Sequence, residues 1–218
     1  MELNVAENIL LISRNPQGKS ILSSDRESYV VVGALLAQLE LDGLIGLVDE
    51  RVSAVPDVTE PADYHPALRS FLARIRDESR NRKPKWWVRK AADKDLNEQL
   101  LSGLAERGLV NVASHRMLGL FSSHTWTPRD PLIVPSLVKE LTTVLEGAEC
   151  DDRTAALLSL IYTGGLSDLL FGHVDYDARE ARFNGLAGHR WTAVAVYDAI
   201  MNAEAFNSGV IVGAATSV

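Results

Sequence analysis

The chain has 218 residues, a formal net charge of −7 and a hydrophobic content of 46%. That content is typical of a folded globular protein and excludes an intrinsically disordered one. The single cysteine, Cys150, excludes an intramolecular disulfide, and no apolar run reaches the roughly 20 residues of a membrane-spanning helix. The N-terminal residues lack the basic start of a secretory signal. We therefore expect a cytoplasmic protein whose contact with a membrane, where it has one, is peripheral.

The first third of the chain predicts short elements joined by turns. Residues 5–12 are compatible with a short helix or strand, and Asn-Pro-Gln-Gly at 15–18 predicts a turn. Residues 27–41 have the apolar spacing of a helix, and residues 44–57 alternate weakly, as a small hairpin does. A further amphipathic helix is indicated by four apolar residues at the i, i+3, i+4 and i+7 spacing: Leu68, Phe71, Leu72 and Ile75.

The middle of the chain adds two helices and a hairpin. Pro84 marks the start of a short helix that extends through Trp87. Residues 96–104 carry leucines at helical spacing, and Gly108 is placed to end that helix. Residues 109–121 hold two β-prone runs around a polar centre, which predicts a β-hairpin.

The remainder of the chain predicts three more helices. One begins at Asp130-Pro131, and a second, apolar on nearly all sides, begins at Asp151 or Asp152 and continues through residue 171. The last covers residues 191–203. The fold class is therefore mainly α: a compact single-domain helical bundle with one or two small β-hairpins. Two segments divide the chain: 1–205 form the domain and 206–218 a C-terminal tail.

Sites for chemistry are weak. The sequence NPQGKS ends like a phosphate-binding loop, but Ser13 stands where that motif needs glycine. His173, Asp175 and Asp177 alternate as metal ligands can, although a solvated loop is the favoured interpretation. Cys150 lies among acidic residues, which raise a thiol pKa and disfavour a nucleophile. We expect no catalytic residues, no metal and no cofactor, and hence not an enzyme.

The basic residues of this acidic chain are concentrated in one segment. Residues 69–94 contain ten basic and three acidic residues, a net charge of +7, so the remainder carries −14. A sequence pI of about 5.3 disfavours a nucleic-acid-binding domain, whereas a cluster of four to eight lysines and arginines is typical of anionic-lipid binding. The alternative is an ordinary solvated helix surface with its two tryptophans packed inward. The candidate headgroup ligands are Arg82, Lys83, Lys85, Arg89, Lys90 and Lys94.

Five stretches, taken in order, resemble the Golgi phosphoprotein 3 family. They are ENILLISRNPQGKS, GALLAQLELDGLIGLV, NEQLLSGLAERGLV, RMLGLF and RTAALLSLIYTGGLSDLLF. Together they cover about residues 5–172, with a weaker match in the last helix. None is a catalytic motif, so the specificity of the resemblance lies in the ordered set.

The resemblance implies a mostly helical domain with a role at membranes. Eukaryotic members of the family are peripheral Golgi proteins that bind phosphatidylinositol 4-phosphate on a flat basic face, insert an apolar hairpin beside it and recognise glycosyltransferase tails. It therefore implies an adaptor, peripheral on the cytoplasmic membrane face, whose partners are anionic membrane lipids. Protein tails, or self-association through the hairpin, are further partners it implies, and nucleic acid is not among them. The alternative is a soluble protein-interaction module that has lost lipid binding.

The resemblance also assigns positions. The family's four headgroup residues correspond to Ser23, Val32, Lys94 and Asn97, of which only Lys94 carries a positive charge. This implies general attraction to anionic lipid with little selectivity for one phosphoinositide. The chain starts at the first matching helix, without the family's basic arm, as a short bacterial member would. The apolar hairpin corresponds to four residues: Met117, Leu118, Leu120 and Phe121.

Overall fold

The computed structural model describes residues 3–117, 121–187 and 190–207, with side chains at all of them except 94, 115–117, 121–123, 187, 206 and 207. This part of the chain is mainly helical, with two separate antiparallel strand pairs. The helices are α1 (Val5–Ile12), α2 (Ser24–Leu41), α3 (Pro66–Asp77), α4 (Pro84–Ala91), α5 (Lys94–Glu106), α6 (Ile133–Leu145), α7 (Asp152–Thr163), α8 (Ser167–Phe171), α9 (Tyr176–Ala187) and α10 (Trp191–Asn207). The strands are β1 (Ile45–Val48), β2 (Arg51–Ala54), β3 (Val110–Met117) and β4 (Phe121–Pro128).

The core is built around α1 and α2. All eight residues of α1 are buried, which settles the helix-or-strand ambiguity at 5–12 in favour of a helix. Asn4 caps it: the Asn4 Oδ1 accepts from the Glu7 backbone N at 2.9 Å, and the Glu7 side chain accepts from the Asn4 backbone N. Helix α2 is buried over most of its length and packs against α1, α4, α5, α7 and α10. It is therefore the central helix, against which the surface-forming helices are placed.

The predicted hairpin at 44–57 is confirmed. Strands β1 and β2 pair in register from Ile45 with Ala54 to Val48 with Arg51. The two residues between them, Asp49 and Glu50, have φ values of 48° and 59°. Positive φ at both central positions is typical of the type I′ two-residue turn, whose twist matches that of the strands.

The second hairpin exists, but its predicted extent of 109–121 is wrong. The polar residues 113–116 lie inside β3, and the returning strand β4 covers 121–128. Residues 113–116 contain no glycine, proline or asparagine to form a tight turn. Half of the residues of β4 are serine or threonine, so the strand lacks the apolar run that would have marked it in the sequence.

The predicted continuous helix at 151–171 is interrupted. Helix α7 ends at Thr163 and α8 begins at Ser167. Gly165, which follows the C-cap, has φ +75° and gives the chain its reversal. A Cβ on Gly164 would lie 3.0 Å from Val30 Cγ2 of α2, so α2 approaches the chain closely at that glycine. Two further differences are that α9 was not predicted and that α6 begins at Ile133, three residues after Asp130.

Candidate functional site

Helix α4 carries three of the six predicted headgroup ligands and is anchored by its tryptophans. Trp87 is 2% exposed and its ring meets that of Phe71 edge-on at 6.0 Å, while Trp86, half-buried, meets Trp87 at 5.0 Å. The buried side of α4 packs against α2 and α10. The inward packing proposed for the tryptophans therefore holds for Trp87, and it fixes which side of α4 faces outward.

Two of the predicted ligands are engaged with carboxylates. The Arg82 Nη2 lies 2.9 Å from Glu78 Oε1, and the guanidinium stands 4.8 Å from the centre of the Trp86 ring. The Lys83 Nζ lies 3.4 Å from Glu50 Oε2, on the turn between β1 and β2. The charges of Arg82 and Lys83 are therefore partly offset by their neighbours.

The three cations of α4 itself, Lys85, Arg89 and Lys90, have no such partners among the described residues. Arg89 and Lys90 are exposed, and Lys85 is half-buried. Within the described part of the chain none of these three forms an ion pair. Arg89 and Lys90 lie in the last turn, where a cation also offsets the negative end of the helix dipole. Lys94 begins α5, three residues after α4 ends, and its side chain lies outside the described residues.

The four headgroup positions assigned from the resemblance do not form one exposed site. Ser23 is exposed ahead of α2, but Val32 is 0% exposed in the core. Asn97 is 3% exposed, with its Nδ2 3.3 Å from Ser28 Oγ and 3.4 Å from Glu27 Oε2. The assignment of Val32 and Asn97 to a lipid-contacting surface is therefore wrong. The sequence alone does not show that these two positions are buried.

A buried polar cluster at the start of α2 explains why Asn97 is held inside. The Glu27 carboxylate pairs with Arg14 and accepts from Ser13 Oγ at 3.1 Å and Ser20 Oγ at 2.8 Å. These contacts satisfy a carboxylate that is almost fully buried. The region thus links the 13–20 turn to α2 and α5 through internal bonds.

The long hairpin is exposed along β3 but not along all of β4. Residues 111–114 are all exposed, whereas Thr125 and Trp126, the partners of Ala113 and Val112, are buried. At its base Val110 and Trp126 are buried, and the Trp126 backbone N donates to Gly18 O at 2.9 Å. Met117 pairs with Phe121 across the strands. The side chains of Met117 and Phe121 lie outside the described part of the chain, and so do Leu118 and Leu120 as whole residues.

An exposed apolar stripe on α10 was not predicted. Val194, Tyr197 and Met201 are 50%, 54% and 43% exposed and follow the i, i+3, i+7 spacing of one helix face. Helix α10 packs on α4, and both pack on α2, so the outward faces of α4 and α10 adjoin. The sequence does carry a signal for this stripe: α10 has apolar residues on more than one face, whereas an amphipathic surface helix has them on one face only.

The weaker candidates for chemistry stay weak. Within residues 3–117, 121–187 and 190–207 no three potential ligands gather as a metal site needs. The Asp175 Oδ1 instead accepts from the Ala178 N at 3.0 Å and caps α9. Burial raises the pKa of the Cys150 thiol, with Asp151 adding to it and Arg182 opposing it, so the main cause is burial and not the acidic setting expected from the sequence.

Comparison with known families decides the assignment. The family model for Golgi phosphoprotein 3 (GPP34) matches residues 5–203, more than nine-tenths of the chain. The chain belongs to the Golgi phosphoprotein 3 family. None of the curated proteins compared with it matches significantly. The match extends past the main resemblance at 5–172 and includes most of α10. At the level of the family, membership indicates a lipid-binding adaptor.

The structure of this family member also bears on how it could meet a membrane. Among its described residues, no helix has both the length and the apolar character that crossing a bilayer requires. The surface features described above are the cations of α4, the stripe on α10 and the long hairpin.

Proposed function

We propose that this protein is a peripheral membrane adaptor that binds anionic phospholipid headgroups through α4, on the cytoplasmic face of a membrane. The observation that carries the proposal is the outward-facing, unpaired set Lys85, Arg89 and Lys90 in a chain of net charge −7. A uniformly acidic surface would be repelled by an anionic bilayer. A local cationic face orients the protein so that this face meets the headgroups.

The apolar stripe beside α4 supports the same surface. Each lysine or arginine near an anionic bilayer contributes about 1 kcal/mol, so three of them give only weak attachment. Apolar side chains that enter the boundary between headgroups and acyl chains strengthen this attachment. A tyrosine such as Tyr197 is suited to that boundary because one end of its side chain is apolar and the other is polar. The hairpin, exposed at 111–114, offers a second apolar contact through Met117, Leu118, Leu120 and Phe121.

The adaptor acts by binding and not by catalysis. Its protein ligands are the tails of other membrane-attached proteins or a second copy of itself. Selectivity for phosphatidylinositol 4-phosphate is not part of the proposal, because only one arginine, Arg89, is among the three cations of α4, and selective phosphate recognition needs bidentate arginine contacts.

Co-sedimentation with vesicles tests the proposal. We expect binding to phosphatidylcholine vesicles that contain phosphatidylserine and none to phosphatidylcholine alone. Reversing two charges, with Arg89→Glu and Lys90→Glu, should weaken binding at least about tenfold, since each residue contributes about 1 kcal/mol. The matched control reverses two exposed cations elsewhere, Arg129→Glu and Lys139→Glu, and should weaken binding less. Equal loss in both variants would contradict a site on α4.

The second candidate is a soluble protein-interaction module, which the exposed stripe of α10 favours. It predicts a dimer or a hetero-complex that forms without lipid. Light scattering after size exclusion distinguishes it: Tyr197→Ser with Met201→Ser would then change the mass, whereas the membrane proposal predicts the same mass for the variant and the wild type. Absence of binding to any anionic vesicle, together with such a mass change, would replace the first candidate with the second.

A further inference from the structure

The Glu78 carboxylate holds the arginine that stands at the start of the α4 face. Glu78 is the C-cap residue of α3, and Arg82 lies two residues before Pro84, the first residue of α4. The Arg82 Nε and Nη2 atoms both donate to Glu78 Oε1, at 3.2 Å and 2.9 Å. One edge of the guanidinium is therefore closed by a carboxylate, and with such an edge an arginine also binds a phosphate.

Arg82 belongs to the same surface as the cations of α4. Its guanidinium carbon lies 4.8 Å from the centre of the Trp86 ring. Trp86 is three residues before Arg89 and four before Lys90, and residues at these spacings are neighbours on the surface of a helix. The Arg82 charge therefore lies beside the charges on which the membrane-binding proposal depends.

The ion pair of Glu78 and Arg82 is partly open to solvent. The side chains of Arg82 and Glu78 are 34% and 21% exposed. The backbone of Arg82 is fixed, because its carbonyl oxygen accepts from the Val52 N at 2.8 Å. A lipid phosphate therefore meets a guanidinium that is accessible and already in position, but whose charge is compensated from within the protein.

A second carboxylate near this surface holds its cation less firmly. The Lys83 Nζ lies 3.4 Å from Glu50 Oε2, and the two side chains are 64% and 84% exposed. An exposed pair with one long contact contributes little, because water and salt screen it. Glu50 is therefore a weaker counter-ion than Glu78, whose pair has two hydrogen bonds and is better shielded from water.

We propose that Glu78 is an internal counter-ion that limits the affinity of the α4 face for an anionic bilayer, because it keeps Arg82 from acting as a headgroup ligand. This inference rests on the membrane-binding function proposed above. A phosphate that binds Arg82 must displace the Glu78 carboxylate, so one ion pair replaces another and little affinity is gained. Without the carboxylate, the same arginine would join Lys85, Arg89 and Lys90 as a fourth cation for the headgroups.

Glu78→Gln tests the proposal, because it removes the charge and keeps the length of the side chain. Binding is measured by co-sedimentation with phosphatidylcholine vesicles that contain phosphatidylserine. Since any loss of negative charge favours this binding, the matched control is Asp77→Asn. Asp77 is the next residue, is exposed and forms no ion pair within the described part of the chain. Glu78→Gln should bind about fivefold more tightly than Asp77→Asn, since one added cation contributes about 1 kcal/mol.

A cycle of variants assigns this excess to Arg82. In the Arg82→Gln background, Glu78→Gln and Asp77→Asn should raise vesicle binding by the same factor, because no guanidinium remains to be released. The urea midpoint of each variant is measured alongside and should stay close to that of the wild type, so that a change in binding is not a change in the folded fraction. An excess that persists without Arg82 overturns the proposal.

Glu50→Gln provides a graded comparison. Its matched control is Asp49→Asn, at a residue with φ 48°, a conformation that asparagine tolerates. Because the pair of Glu50 with Lys83 is longer and more exposed, the excess of Glu50→Gln over Asp49→Asn should be smaller than the fivefold excess at Glu78. An equal or larger excess at Glu50 would mean that binding follows exposed charge and not the bonded pair, which contradicts the proposal.

The outcomes separate the counter-ion role from the membrane function. If the wild type binds the vesicles and Glu78→Gln binds no more tightly than Asp77→Asn, the counter-ion role is overturned and the membrane function stands. If neither the wild type nor Glu78→Gln binds, both are overturned. Binding by Glu78→Gln at a phosphatidylserine content that is too low for the wild type and for Asp77→Asn supports both.

Discussion

A Cβ atom on Gly33 of α2 would overlap Cγ2 of Val196 on α10 and would lie 3.0 Å from Cδ2 of Leu160 on α7. Both neighbours are 0% exposed. The missing side chain at Gly33 therefore lets two helices approach the central one closely. This contact also sets the position of α10, and with it the exposed stripe beside α4.

Gly33→Ala should destabilise the protein. Alanine gains about 1 kcal/mol over glycine in a helix, but overpacking a filled core costs about 1–3 kcal/mol, and Val196 is branched at Cβ and cannot turn aside. We expect a net loss of about 1–2 kcal/mol in the free energy of unfolding, measured in urea. Gly103→Ala is the matched control: no atom would lie within 4 Å of its Cβ, so it should stabilise.

Val196→Ala should relieve that cost. The double variant Gly33→Ala, Val196→Ala should be less destabilised than the sum of the single variants, as expected for residues in contact. Additive effects would mean that the helices shift apart instead, and that Val196 is not the group that limits substitution at Gly33.

Much of the helical fold could be predicted because its signals are local. The spacing of Leu68, Phe71, Leu72 and Ile75 predicted α3, and the structure buries all four. The missed parts depend on contacts between distant segments. Helix α9 was missed because its sequence has almost no apolar face, and β4 because its serines and threonines pair with β3 instead of filling a core.

The candidate site was predictable in its charge but not in its geometry. A count of basic residues finds the segment 82–94, yet only the structure shows that Glu78 and Glu50 offset Arg82 and Lys83. The buried Glu7 carboxylate and its partners left no trace in the sequence. Glu7 is one polar residue of an apolar stretch, and its partners Arg107 and His65 are 100 and 58 residues away.

Asp151→Ala should cost about 0.5–2 kcal/mol at neutral pH, the usual range for the loss of an N-cap. The Asp151 Oδ1 accepts from the Thr154 N at 2.7 Å at the start of α7. The bonds from the Thr154 backbone and hydroxyl lower the pKa of Asp151. A carboxyl group whose pKa is lower in the folded protein stabilises the fold at pH values above its pKa in the unfolded chain. That contribution is lost as the pH falls through the pKa of the folded protein.

The control is Asp151→Asn, which keeps the cap without the charge. At pH 7, the free energy of unfolding in urea should be at least as high for the wild type as for the Asp151→Asn variant, and lowest for the Asp151→Ala variant. Between about pH 5 and pH 2 the advantage of aspartate over asparagine should vanish. A difference that stays constant across this range would show that the Asp151 charge does not contribute.

The tip of the long hairpin should be dispensable for folding. We expect Met117→Ala, Leu118→Ala and Leu120→Ala together to leave the unfolding midpoint nearly unchanged and to weaken binding to anionic vesicles, because the ribbon is already exposed at 111–114. Burial of one such side chain is worth about 1.5–3 kcal/mol, so a core role would lower the midpoint clearly. Leu101→Ala, at a site 2% exposed, is the comparison and should cost about 2–5 kcal/mol.

Binding to membranes should follow surface charge and not headgroup identity. Selective recognition of a phosphate requires arginines placed for bidentate bonds, whereas α4 carries one arginine, Arg89, beside Lys85 and Lys90. Attraction by Lys85, Arg89 and Lys90 acts through the surface potential, which decays over about 8 Å at physiological salt. We therefore expect equal flotation with phosphatidylserine and phosphatidylinositol 4-phosphate vesicles at matched charge, and release by roughly 0.5 M salt, where screening is far stronger. Tight binding to phosphatidylinositol 4-phosphate that survives this salt would contradict the expectation, and would require ordered headgroup ligands elsewhere on the surface.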